Sequence, residues 1–424
     1  MEDGDELSRR KILNRHLPAL SALLSLFILL SSITGCEKKP VVRPSSQTAD
    51  MVSNGENPSI TLFLSGDVMT GRGIDQVLPH PGRPEIHEPY MKDARGYVEI
   101  AERVNGTIPA PVSFSYIWGD ALDVLKEVNP DLRLINLETS ITRSDNYREG
   151  KGIHYRMNPE NVPVLASAGI DFCSLANNHI LDWGNEGLFE TIDTLREAGI
   201  KFAGAGINRE EAETPAIFEI EGKGRVVVFS FCTRTSGVPS DWVAGDERPG
   251  VSLLEDLSQL QVERIMGMVD KVKREGDIVI ASIHWGSNWG YRIPEKHREF
   301  AHLLIDKAEV DIIHGHSSHH PRPIEVYRGK PILYGCGDFI NDYEGIGGYE
   351  QFRDDLVLMY LLNMDISRKT LKEMRMVPLQ IKNFRLHRAN REDAVWLQKR
   401  LNSESRIFGT EIVLTPENNL IVKQ

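Results

Sequence analysis

The sequence predicts an α/β fold with mixed sheets, laid out as a single domain over residues 59–424. Three observations carry this reading. Short, β-prone apolar runs alternate with stretches of helical period. Five of these runs end in a polar loop of Asp, Glu, Asn or His. No internal repeat and no second composition zone divides the 424 residues, a length that suits one large domain or two ordinary ones.

The elements follow in order. Ile60–Ser65 is the first strand-like run. Gly71 to Ser115 is a long insertion rich in Pro and charge, too irregular to assign elements. An insertion of that length has structure of its own or a function. Ala121–Val128 reads as a helix that Asn129-Pro130 ends. Leu132–Ile135 is a strand, Asn161–Ala168 a short helix stopped by Gly169, and Ile170–Leu175 a strand. Leu188, Ile192, Leu195 and Ala198 fall at helical spacing before Gly199. Val226–Phe231 is strongly β-prone, and Leu253–Val272 carries a long helical period. Strands follow at Asp277–Ile283, Val310–Ile313, Pro331–Tyr334 and Leu356–Met364, with a helix at Phe300–Ala308. A helix around Ala394–Leu401 and a strand at Glu411–Leu414 close the chain.

The chemistry lies in the loops. The runs end at Gly66-Asp67, at Asn136-Leu-Glu138, at Asn177-Asn178-His179, at His284-Trp285-Gly286 and at His314-Gly-His316-Ser-Ser-His319-His320. In open α/β sheets, ligands collect at the carboxyl ends of strands. Asp, Glu, Asn and His are the side chains that hold divalent Mn, Zn or Fe. Asp67, Glu138, Asn178, His284, His316 and His319 are therefore the candidate ligands of one or two ions. A lone Asp after a strand is usually a turn or cap residue, and a lone His is usually satisfied in a core. Four His within seven positions is a different pattern. Two divalent ions about 4 Å apart polarise a substrate oxygen and lower the pKa of bound water towards about 7. His179 is the candidate general acid, with Asp182 orienting it. Arg72, within Gly71-Arg72-Gly73, is placed to clamp an anionic group or is a solvated turn residue. Asn177 and Trp285 join it as candidate substrate contacts, while Trp289 reads better as a core aromatic. Gly335-Cys-Gly337-Asp338 suits a backbone approach to the site, or a strand end with a capping Asp.

Composition bounds partners and place. Lys and Arg number 49 against 61 Asp and Glu, a net charge of −12. That excludes the basic footprint of a nucleic-acid binder. It also leaves any polyanionic substrate to be met by local Arg or metal charge. Arg9, Arg10, Lys11 and Arg15 precede an uncharged apolar stretch, Leu17–Ile33. Ile33-Thr-Gly-Cys36 then resembles a bacterial lipobox, with an uncleaved signal anchor as the alternative. The expectation is a lipoprotein signal over 1–36, lipid on Cys36, a Pro/Ser tether over 37–58, and a domain held on the outer face of a bacterial membrane. Cys173, Cys232 and Cys336 sit in apolar runs and read as buried thiols.

The ordered set Gly66-Asp-Val-Met-Thr-Gly-Arg72, Asn136-Leu-Glu138, Leu175-Ala-Asn-Asn-His179, His284-Trp-Gly286 and Gly315-His316-Ser-Ser-His319 resembles the CapA family. That family is named for capsule and poly-γ-glutamate synthesis and looks like a branch of the calcineurin-like metallophosphoesterases. The resemblance runs from about Ile60 to about Ile340. It implies a four-layer fold, two mixed sheets face to face with helices outside. It implies Asp67 as the first-motif Asp, Glu138 as the bridging carboxylate, Asn178 and His179 as the third motif, His284 as the fourth, and His316 with His319 as the fifth. Met69 stands where a first-motif His would be, and the fifth motif has one extra residue between its His. The function implied is a membrane-anchored phosphoesterase- or hydrolase-like protein of polymer synthesis, acting on a phosphoester or an anionic polymer. The alternative is a non-catalytic, polymer-binding component of a membrane synthesis complex.

Overall fold

The computed structural model describes residues 58–423. The signal, Cys36 and tether expectations fall on residues outside that range. Two mixed sheets pack face to face. The first has ten strands. Its path runs Glu411–Leu414, Leu420–Lys423, Thr370–Lys382, Leu356–Asp365, Ser59–Val68, Leu132–Leu137, Phe172–Ser174 and Lys201–Ala203, and Asp338–Ile340 also pairs with Ser59–Val68. The second has seven strands and centres on Gly224–Thr233, Ile278–His284 and Ile312–His316, all parallel.

Side-chain alternation explains the layers. Ile60, Leu62 and Leu64 of the first sheet meet Val226, Val228, Ile278, Ile280 and Ile312 of the second in a shared inner core. The intervening residues face outward. Phe63 and Ile135 pack under the helices Ala121–Val128 and Gly184–Glu197. Val227, Val279, Ala281 and Ile283 pack under Gln259–Val272 and Glu295–Asp306. This is the four-layer arrangement that the resemblance implies.

The same parity places the polar residues. Ile278 and Ile280 face inward, and so do Ser282 and His284 after them. Ile312 faces inward, and so do His314 and His316. At the carboxyl ends of these strands the inner core turns from apolar to polar.

Three element readings are corrected. The Gly71–Ser115 insertion contains two helices, Gly73–Val77 and Arg95–Asn105. The second buries only Tyr97 and Ala101, a stripe too narrow to show as a period. Leu253–Leu254 is a strand, and the helix begins only at Gln259. There the Asp256 carboxylate accepts the Ser258 N–H and turns the chain. Thr370–Lys382 is a long strand that had no assignment. A register shift at Asn363/Met364 puts Lys372 and Glu373 side by side in solvent and breaks its alternation. Cys173, Cys232 and Cys336 are buried free thiols, as expected.

Candidate metal centre

The strand ends converge. Asp67, Glu138, His284, His316 and His319 are all buried within one site. Asp67, His284 and His316 each place a ligand atom within 4.8 Å of the others. Asp67, His319 and Asp338 form a second such group, so Asp67 belongs to both. Asp338 had no ligand role in the sequence reading. It stands opposite Asp67 in parallel register, and the Asp67 N–H donates to Gly337 O at 3.0 Å. A Cβ on Gly66 would sit 1.7 Å from that carbonyl, so only glycine lets the two strands approach this closely. The legible signal was a second Gly-Asp pair, Gly337-Asp338, near a run of apolar residues.

Hydrogen bonding fixes the imidazoles in the first group. His314 Nε2 lies 2.7 Å from the Ser65 carbonyl, which can only accept, so that nitrogen carries the proton. His314 Nδ1 is then bare and accepts from Ser282 Oγ at 3.1 Å. Ser282 Oγ in turn accepts from His316 Nε2 at 2.9 Å, which leaves His316 Nδ1 bare. A second chain ends at His284. Asn177 is oriented by backbone: its Oδ1 accepts from the His179 N–H and its Nδ2 donates to Leu137 O. Asn177 Nδ2 also donates to Asn136 Oδ1. Asn136 Nδ2 therefore points at Asp67 Oδ1, 2.7 Å away, and at His284 Nδ1, 3.5 Å away. His284 Nε2 donates to Asn178 Oδ1 at 2.9 Å, leaving Nδ1 bare. The two bare Nδ1 atoms lie 2.9 Å apart.

Two lone pairs held face to face beside a carboxylate suit a cation. Burial presses the same way. It holds the His284 and His316 imidazoles well below their ordinary pKa, hence neutral, and it pushes the Asp67 carboxyl up to about 7. Burial, and then Asp67, raise Glu138 well above the usual carboxylate range. Glu138 Oε2 is buried and has no hydrogen-bond partner among the described residues. A divalent ion would relieve each of these costs at once. The residues present fit such an ion.

Comparison with known proteins places the chain in a family. The family profile described as bacterial capsule synthesis protein PGA_cap matches residues 61–343, a span that holds every residue of both groups. The chain belongs to the PGA_cap family. It is 50% identical over 368 residues to a probable polyglutamine synthesis accessory protein of Mycobacterium tuberculosis strain H37Rv, covering 86% of this chain and 97% of that one. It is 26% identical to the PGA biosynthesis protein CapA of Bacillus subtilis, over 84% of this chain and 78% of that one. A solved phosphatase structure from Mycoplasma pneumoniae aligns over 77% of this chain and 95% of its own, at 12% identity and a TM-score of 0.41.

In this PGA_cap protein the centre floors a cavity of about 360 Å³. Glu138, Asn178, His179, His284 and His319 form its base, and Tyr90, Tyr155, Trp289, Tyr343 and Tyr349 line its walls. His179 Nδ1 lies 2.7 Å from Asp182 Oδ2, the orienting contact that the sequence suggested. Burial, and then the Lys151 charge, hold His179 well below its ordinary pKa. The ring turns its Nε2 towards Glu138 Oε1, 3.6 Å away. Lys151 was missed. It ion-pairs with Asp182 and reaches His179 Nδ1 at 3.0 Å. It sits in the loop Gly150-Lys151-Gly152, after no strand, and carries no signal of its own in the sequence.

Three substrate-contact expectations are corrected. Arg72 does border the cavity, but its guanidinium is occupied. It pairs with Asp342 and with Glu88, donates to Tyr97, and stacks on the Tyr97 ring. Asn177 is fully buried and orients Asn136 and the His179 loop instead of meeting substrate. Trp285 follows Ile283 in parity, so it points away from the centre into the outer core. There it stacks on His297 and donates to Tyr334 O. Trp289, read as a core residue, is the tryptophan on the cavity wall, stacked 4.0 Å from Tyr349.

Proposed function

We propose that this PGA_cap protein is an accessory factor of capsular poly-γ-glutamate synthesis with a metal-dependent hydrolase- or transferase-like site for a phosphoester or amide. The role in polymer synthesis is carried over from the names of its relatives. The single observation behind the chemistry is the pair of bare imidazole nitrogens facing each other beside a shared Asp67. Asp67, His284 and His316 would hold one ion, and Asp67, His319 and Asp338 the other. Divalent ions there supply Lewis-acid activation of a substrate oxygen and of water.

The chain's own residues do the rest. Glu138 and His179 face the cavity, Glu138 as a further carboxylate beside the ions and His179 as the acid–base group. Asp182, itself ion-paired with Lys151, holds the His179 ring in place. Arg72 and Lys151, which border the cavity, are already paired with carboxylates. An anionic group on the substrate is therefore met at the centre and not by free protein cations. The aromatic walls offer flat apolar faces to the rest of the substrate. Metal analysis of the purified chain tests this. Near-stoichiometric Mn, Zn or Fe after reconstitution is expected, and less than about 0.2 equivalents would sink the reading.

A second reading is a non-catalytic, polymer-binding component of a membrane synthesis complex. Met69, a thioether where the resemblance implies a first-motif His, is the observation in its favour. In that case His284→Ala and His316→Ala leave polymer production intact while deletion of the gene abolishes it. For the anchor, we infer lipidation at Cys36. Cys36→Ser should leave a longer precursor that takes up no labelled fatty acid; processing and size like the wild type would reject it. No helix among the described residues is long and apolar enough to cross a membrane.

A further inference from the structure

His314 is outside both donor groups and does not border the cavity. Ser282 is equally withdrawn. Both are fully buried, yet each is bonded on two sides. They stand opposite each other in register on neighbouring parallel strands, Ser282 beside His314, with His284 beside His316 two residues on. The chain of bonds runs from the Ser65 carbonyl in the first sheet, through His314 and Ser282, to His316 Nε2 in the second. A carbonyl cannot donate, so every proton along the chain has one permitted position. The last link leaves His316 Nδ1 bare, 3.9 Å from Asp67 Oδ1 and 2.9 Å from His284 Nδ1. An ordinary core histidine needs partners; it does not need partners whose polarity decides the tautomer of a neighbour.

We propose that Ser282 and His314 are positioning residues, a backbone-anchored relay that keeps His316 in its Nε2–H tautomer with Nδ1 presented to the Asp67–His284 group. This rests on the metal reading above. A ligand imidazole whose far nitrogen has a fixed partner binds an ion without first moving a proton or turning its ring. Because the relay starts in one sheet and ends in the other, it also fixes His316 relative to Asp67 across the inter-sheet core.

The test uses the full chain with ¹⁵N-labelled histidine, metal-free, with His316→Gln to assign the signal. Two-bond nitrogen–proton correlations report which ring nitrogen is protonated. Wild type should show His316 and His314 both as Nε2–H. In His314→Phe the ring volume stays but the acceptor is gone. The Ser282 hydroxyl then turns to His316, and the His316 proton moves to Nδ1. Titration with Zn(II) alone follows. Ser282→Ala and His314→Phe should each weaken Zn(II) affinity at the Asp67–His284–His316 group by about 10- to 100-fold, the usual effect of removing a partner of a metal-bound histidine. Circular dichroism confirms that each variant is folded. A wild-type His316 protonated on Nδ1 overturns the proposal, whatever the variants do. Folded variants with unchanged tautomer and unchanged Zn(II) affinity overturn it too. A wild type that shows Nε2–H but takes up no Zn(II) supports the relay and sinks the metal reading alone.

Discussion

Asp67 serves two donor groups that are built differently. On one side, His284 and His316 are neutral, and their bare Nδ1 atoms face each other. On the other, His319 is already satisfied. Its Nδ1 donates to Asp338 at 2.9 Å, and its Nε2 lies 2.8 Å from the side-chain amide of Asn288. Burial pulls the His319 imidazole down, but the surrounding carboxylates, Asp338 first and then Asp67 and Asp354, together more than offset this and leave it above its ordinary value. A charged imidazole beside a carboxylate is an internal substitute for a metal. Met69 sits on this side as well, its sulfur 3.5 Å from the Tyr343 hydroxyl, whose ring packs edge-on against His319. The comparison teaches that one ion position is unstable without its cation, whereas the other is balanced by its own proton. The first should bind tightly and the second weakly.

The largest effect expected is from the shared residue. Asp67→Ala should abolish both binding events in a calorimetric titration; retention of either one breaks the idea of a common carboxylate. Next comes the asymmetry between the histidines. His316→Ala should weaken the tighter event by more than about a hundred-fold, beyond what loss of an outer partner costs. His319→Ala should leave that event within about three-fold and remove the weaker one. Equal losses from the two variants would erase the distinction.

Protons sharpen it further. His319 has its pKa raised by Asp338, so the pair stabilises the metal-free fold below the ordinary histidine pKa of about 6.5 and loses that contribution as pH rises through the raised value. An ion must displace that proton, so affinity at the weaker position rises with pH. His284 and His316 hold no such proton near neutrality, and the shared Asp67 carboxyl, pushed up to about 7, gives up its proton once, to the first ion bound. Calorimetry in buffers of different ionisation enthalpy should therefore show further proton release at the weaker step, after Asp67 has lost its proton at the tighter one. The smallest effect lies on the wall. Trp289→Ala should raise KM by about 1 kcal/mol equivalent, roughly five-fold, with metal content unchanged.

Much of this was legible in the sequence, and the exceptions have physical reasons. Asp67, Glu138, His284, His316 and His319 each end or follow a strand-like run, and strand ends are where sites form. Parity within a strand was available but unused. It sends Trp285 outward with Ile283, and it sends Ser282 and His314 inward with the ligands. Lys151 and Asn288 were not legible, because loops bring them to His179 and His319 with no period to follow. Arg72 looked free because Glu88 and Asp342, its partners, lie 16 and 270 residues away. The Thr370–Lys382 strand was hidden by its bulge.

Anomalous diffraction at the absorption edge of the added metal tests the central claim most directly. Crystals should be grown with about one equivalent of Zn(II) and again with excess. One peak is predicted at the lower loading, between Asp67, His284 and His316, and a second at the higher, beside His319 and Asp338. No peak at either loading, or a first peak on the His319 side, would contradict the account.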